Sequence, residues 1–170
     1  MRIVLDWKTL FLGGMIVVVL SLLVIRSCRS EEDVIRDRFE ELCDLSSLSG
    51  TESALAAGVR AKEIGEFFSP QLRIEARSAR ISVDSLQELR QIVFNARTSL
   101  DRIDVEPRKV ELRLAADGNS ASMTSSVRIS ASGRGERASF DEAFTIDWIK
   151  QNGKWIILKA GRYETIRLID

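Results

Sequence analysis

The sequence predicts an α+β protein carrying one transmembrane helix at its amino-terminal end, and three observations carry that reading. An uncharged apolar run, Thr9 to Ile25, opens an otherwise charge-rich chain. Three segments with helical apolar spacing follow, each behind a capping residue. The second half then alternates apolar and polar residues with a period of two, punctuated by Asp117-Gly118-Asn119 and Asn152-Gly153. Helices first and strands afterwards describe about three helices packed on one face of a curved, mostly antiparallel sheet.

The apolar run divides the chain into a short tail (1–8), a transmembrane helix (9–25), a juxtamembrane segment (26–30) and a folded domain (31–170). Seventeen residues at helical rise extend about 26 Å, against the roughly 30 Å of a hydrocarbon core. Trp7 suits an interface, and Lys8 and Arg26 can snorkel from either end. A signal peptide is the rival reading, but Val24-Ile25-Arg26-Ser27 makes a poor small-x-small cleavage site. Ile25-Arg26-Ser27-Cys28 has a lipoprotein-like outline, with Arg26 where a small or apolar residue belongs. A retained, single-pass anchor in the lipid bilayer is therefore expected. Lys and Arg counts on its two sides nearly cancel; the very short tail favours an extracytoplasmic domain, periplasmic in a bacterium.

Ser30 with Glu31, Glu32 and Asp33 reads as an N-cap with acids in the first turn, and Ile35, Phe39, Leu42 and Ser46 then form a stripe with Val34 and Cys43. The same residues also permit one helix continuous with the anchor, broken at Leu45 to Gly50. Thr51 and Ser53 open a second helix through Ala54, Ala57, Ala61, Ile64 and Phe68, ended by Ser69-Pro70. A short extended stretch, Leu72 to Ala76, follows. Asp84 is expected to cap a third helix, with Gln87 at its third position and Leu86, Leu89, Ile92, Val93 and Ala96 as its apolar face. Val110, Leu112 and Leu114 mark one strand; Ala121, Met123, Ser125, Val127 and Ile129 mark the next. After Gly133-Arg134-Gly135, a strand from Phe140 to Ile149 turns at Asn152-Gly153 into another, Trp155 to Ile166.

Composition narrows the chemistry. The chain has 25 basic and 25 acidic residues, so no basic field points to nucleic acid. It has no histidine, which removes histidine-based nucleophile activation, metal ligation and pH switching. No cofactor and no metal site is expected. Cys28 and Cys43, about 22 Å apart along a helix, are too distant for a disulfide. Cys43 reads as a buried small hydrophobe, and Cys28 as a free thiol at the membrane edge.

A two-residue loop at Asn152-Gly153 sets Gln151 opposite Lys154, Trp148 opposite Ile157, Ile146 opposite Lys159, Phe144 opposite Gly161 and Glu142 opposite Tyr163. One side of this hairpin then carries Glu142, Lys159 and Tyr163 among apolar residues, a candidate ligand pocket with Glu142 as base or acceptor and Tyr163 as donor. A bulge at Gly161 is the structural alternative, reversing the register beyond it. The reverse side carries Ile149, Ile156, Leu158 and Ala160, a surface for helices or for a second subunit. Gly14, Ser21 and Cys28 recur every seven residues and continue as Ile35 and Leu42, a candidate dimer seam running out of the membrane.

The helix pair, the Phe67-Phe68-Ser69-Pro70 segment leading into a short strand, the third helix and the closing Asn152 to Leu158 hairpin together resemble the nuclear transport factor 2-like superfamily, which includes SnoaL-like domains. The resemblance spans Glu31 to Ile169. It implies a cone, a bent sheet wrapped around a long helix, often with a pocket at the wide end. That superfamily holds enzymes, ligand-binding domains and assembly domains, and some members are single-span components of type IV secretion systems, similar in layout to this chain. The expectation is a membrane-anchored, non-catalytic domain that binds a protein partner or a second copy; the alternative is a tethered small-ligand-binding or SnoaL-like enzymatic domain.

Overall fold

The structure, a computed structural model, describes residues 29–76, 81–133 and 135–162. The 9–25 run lies outside them, and no helix among the described residues is long and apolar enough to cross a membrane. Helix α1 (Glu31–Ser46) begins where Ser30 is extended, at φ −67° and ψ 151°. Its hydroxyl accepts the Asp33 amide at 3.1 Å, and its own amide donates to the Asp33 carboxylate at 3.3 Å. This capping box starts the helix afresh, which excludes the continuous-helix alternative at that residue.

Strand β1 (Leu48–Ser49) leads to α2 (Ala54–Gly65), capped by the Ser53 hydroxyl. The sequence runs α2 on to Ser69-Pro70, but it stops at Gly65. The Ile157 amide donates to the Phe67 carbonyl at 2.7 Å and draws the chain into the sheet, so Phe68 is a strand residue. Strand β2 (Phe68–Ala76) is followed by β3 (Ile81–Val83) and α3 (Leu86–Ser99). The cap of α3 is Ser85, one residue beyond the expected Asp84: its hydroxyl takes the Glu88 amide, and the Glu88 carboxylate accepts from the Asp84 amide.

Long strands β4 (Arg102–Leu114), β5 (Ser120–Gly133), β6 (Glu136–Gln151) and β7 (Lys154–Arg162) complete a seven-stranded sheet in the order β1-β4-β5-β6-β7-β2-β3. Among the described residues every pairing is antiparallel except β2 with β7. The tip between β6 and β7 has Asn152 at φ 51° and Gly153 at φ 76°, the doubly left-handed turn that matches strand twist. Gly133 serves a close approach instead. A Cβ there would meet the Leu100 backbone and the Ser99 carbonyl at 3.1 Å, so a larger residue would push the end of α3 from β5 by a few tenths of an ångström.

The sheet closes over α1. Ile35, Phe39 and Cys43 face Ala121, Met123, Val127, Ile146 and Trp148 from the central strands, and a smaller cluster of Leu72, Val83 and Leu89 joins α3 to β2 and β3. Ile35 is 0% exposed, so it cannot continue a dimer seam beyond the membrane. Both ends of α1 are fastened. At the start, the Glu31 carboxylate accepts from the Lys150 ammonium and, at 2.6 Å, from the Trp155 indole. At the end, the Arg97 guanidinium, 4% exposed, donates to both Glu52 oxygens at 2.8 Å, to the Leu45 carbonyl at 2.9 Å and to the Ser47 carbonyl at 3.3 Å.

Burial separates this pair from the surface ones. Glu52→Ala strands a buried cation and is expected to cost about 3 kcal/mol in urea unfolding, the low end for a broken buried pair because the carbonyls still accept. Arg102→Gln removes an exposed partner of Asp104 and is expected to leave the urea midpoint nearly unchanged. Acid acts through the same contacts. Hydrogen bonds from Lys150 and Trp155 hold Glu31 below its ordinary 4.5, and the bond from Arg97 does so for Glu52. Depressed carboxylates stabilise fully above 4.5, so unfolding free energy should hold there and fall as pH drops through their lowered values.

Candidate functional site

Of the three candidate pocket residues, Glu142 lies where expected. It pairs with Val127 of β5 and, by alternation with Phe144, Ile146 and Trp148, belongs to the helix-facing surface, half-buried. Lys159 does not join it. The hairpin keeps the expected register only from the tip to Trp148–Ile157; Leu158 is then an extra residue, and beyond it Asp147 faces Lys159 and Ile146 faces Ala160. That bulge, three residues before the Gly161 suspected from sequence, turns Lys159 out to the exposed face and Ala160 in against the core. Tyr163 lies outside the described residues, as do Gly14, Ser21 and Cys28.

The helix-facing surface has two parts. Between α1 and the central strands it is filled: Met123 and Trp148 are fully buried, and even Ser125 is. Toward the β5–β6 turn, Ile129, Phe140 and Phe144 flank Glu142, and Phe140 is 41% exposed. Cys43 lies in the filled part, where burial pushes its thiol up to about 12. A thiol so protonated is a poor nucleophile. Among the described residues no three His, Cys, Asp or Glu side chains cluster as a metal site.

The solvent-facing surface is polar along β4, β5 and β6. The Arg128 guanidinium forks onto both Asp141 oxygens at 3.0 Å, holding that carboxyl below its usual range. Ser122 donates to Asp147 at 3.3 Å, and Ser130 and Ser139 share a hydrogen bond at 3.0 Å. Near the β5–β6 turn, Arg102, Asp104, Ser132 and Arg137 line an open cleft of about 440 Å³. Of the apolar residues expected on the reverse side of the hairpin, Ile149, Ile156 and Leu158 lie there, with Ile156 buried, while Ala160 packs on the core. Sequence reading missed this lattice because alternating Ser, Thr and Arg gives no sign of which partner each will meet.

Cys43 supplies a direct check of the filled interior. The native protein is expected to leave Cys43 unmodified by a thiol reagent at pH 8, with modification restored in denaturant; mass spectrometry of the peptide reads both.

No protein-family model matches the sequence, and neither does any curated protein. Solved structures do match in shape. The association domain of C. elegans calcium/calmodulin-dependent protein kinase II superposes with a TM-score of 0.55 at 13% identity, covering 79% of this chain and 95% of that one. The hub homology domain of that kinase from Chlamydomonas reinhardtii gives 0.57 at 17% identity, covering 80% and 99%. A hexachlorocyclohexane dehydrochlorinase gives 0.60 at 9% identity, covering 89% and 97%. Identities this low speak for shape alone, and the neighbours include both association domains and an enzyme. The fold is the nuclear transport factor 2-like, or SnoaL-like, α+β fold, with three helices on a curved mixed sheet.

Proposed function

We propose that this chain is a single-pass membrane protein whose domain acts as a non-catalytic assembly module, held to the bilayer by residues 9–25 on its extracytoplasmic side. The observation that carries the assembly reading is the filled interior: side chains of α1, β5 and β6 occupy the space between helix and central strands, with Ile35, Met123 and Trp148 at no more than 0% exposure. Protein binding then falls to the outer surfaces and edges. The anchor rests on the apolar run and its flanking Trp7, Lys8 and Arg26.

A second reading, a tethered ligand-binding or SnoaL-like enzymatic domain, is favoured by Glu142, a half-buried carboxylate among Ile129, Phe140 and Phe144. Purification of the full chain in mild detergent separates the two. Assembly is expected to bring down a membrane protein in fixed stoichiometry and no small molecule. A lone chain whose native mass includes a bound small molecule, lost in Glu142→Gln, would establish the second reading instead.

A further inference from the structure

The sheet ends on one side in a strand that its neighbour barely covers. β1 pairs with β4 only at Arg102 and Ile103, and no described strand lies beyond the rest of β4. The direction of its amides follows from the turn: the Ala115 amide donates to the Ser120 carbonyl, so the residues alternating with Ala115 bond inward to β5. Val110, Leu112 and Leu114 therefore turn their amides and carbonyls away from the sheet. Two outward groups are satisfied by α1 and its cap, since Arg36 donates to the Val110 carbonyl and the Val105 amide donates to the Ser47 hydroxyl. Leu112 and Leu114 have no such cover among the described residues.

This stretch, Val110-Glu111-Leu112-Arg113-Leu114, is complementary to itself run backwards. Antiparallel to a copy and centred on Leu112, it sets Val110 against Leu114 and Glu111 against Arg113, twice over. Both charged residues are exposed on the solvent-facing side, and neither has an ion-pair partner among the described residues. The three apolar side chains lie half-buried on the helix-facing side, packed on the core. Of the usual protections of an edge, Pro107 and the Arg108 bulge lie upstream of this stretch, and its two charges are of opposite sign, so they complement a copy; the opposite edge, β3, is only three residues long.

We infer that two copies of this chain join edge to edge through Val110–Leu114 of β4, in antiparallel register about Leu112, making one sheet continuous across a two-fold axis. The interface is isologous, so each Glu111 meets the other copy's Arg113. It stands independently of what the rest of the surface binds.

Charge exchange tests it, because opposite charges directly across strands attract and like charges repel. The full chain in density-matched detergent is studied by sedimentation equilibrium as wild type, Glu111→Arg, Arg113→Glu and the double exchange. Wild type is expected to be dimeric. Each single exchange should weaken the dimer about tenfold, and the double exchange should recover it to within about threefold. Leu112→Pro, which removes an outward amide and spares the bonds to β5, should also weaken it. A monomeric wild type overturns the inference. So do single exchanges that dimerise as wild type does, which would place the contact elsewhere, and a double exchange no tighter than either single one.

Discussion

One guanidinium holds the helical layer together. Arg97 projects from the last turn of α3, meets Glu52 from the loop before α2, and caps the carbonyls at the end of α1. Three helices and the start of β1 are thereby fixed to one planar group, whose forked donors suit a carboxylate and several carbonyls at once. A buried ion pair adds little net stability against an apolar substitute, because desolvation offsets its attraction. Its value lies in position: with α1 ended there, Ser47 reaches the Val105 amide and β1 lies along the first residues of β4. The Glu31 contacts to Lys150 and Trp155 do the same at the other end of α1. Between these two fastenings the helix lies along the sheet and fills it.

That filling shapes the functional argument. Along the central strands large side chains take the room between helix and sheet. A single extra residue parts two of the candidate pocket groups, since Leu158 sends Lys159 to the solvent side while Glu142 stays on the helix side. What the sheet presents outward is an ordered lattice of Arg, Asp and Ser, together with one strand whose outward amides are only partly covered.

Much of the fold was legible in the sequence. Ser30 and Ser53 cap their helices as read, the alternation from Ala121 to Ile129 buries the expected side, and Asn152-Gly153 makes its turn. These signals are local, and local periodicity survives folding. The failures share a different cause. An arginine near a helix end normally reads as a solvated cation, and nothing nearby in sequence shows that Arg97 meets Glu52 forty-five residues away. Leu158 carries no glycine or proline to announce a bulge, whereas Gly161 does, so the bulge read from sequence lies three residues too late. The α2 boundary moved for a similar reason: Pro70 was the visible stop, but the distant Ile157 amide claimed Phe67 first. The candidate site depended on this long-range register, so it was the least legible part.

The central claim is that the domain works through its outer surface and free edge while its interior stays closed. Amide hydrogen exchange on the full chain tests this most directly, comparing the protein in its own membrane with the same protein diluted in detergent. The account expects protection at Leu112 and Leu114 to rise in the membrane, with exchange near Glu142 unchanged. Protection that rises around Phe140, Glu142 and Phe144 while the β4 edge stays open would contradict it.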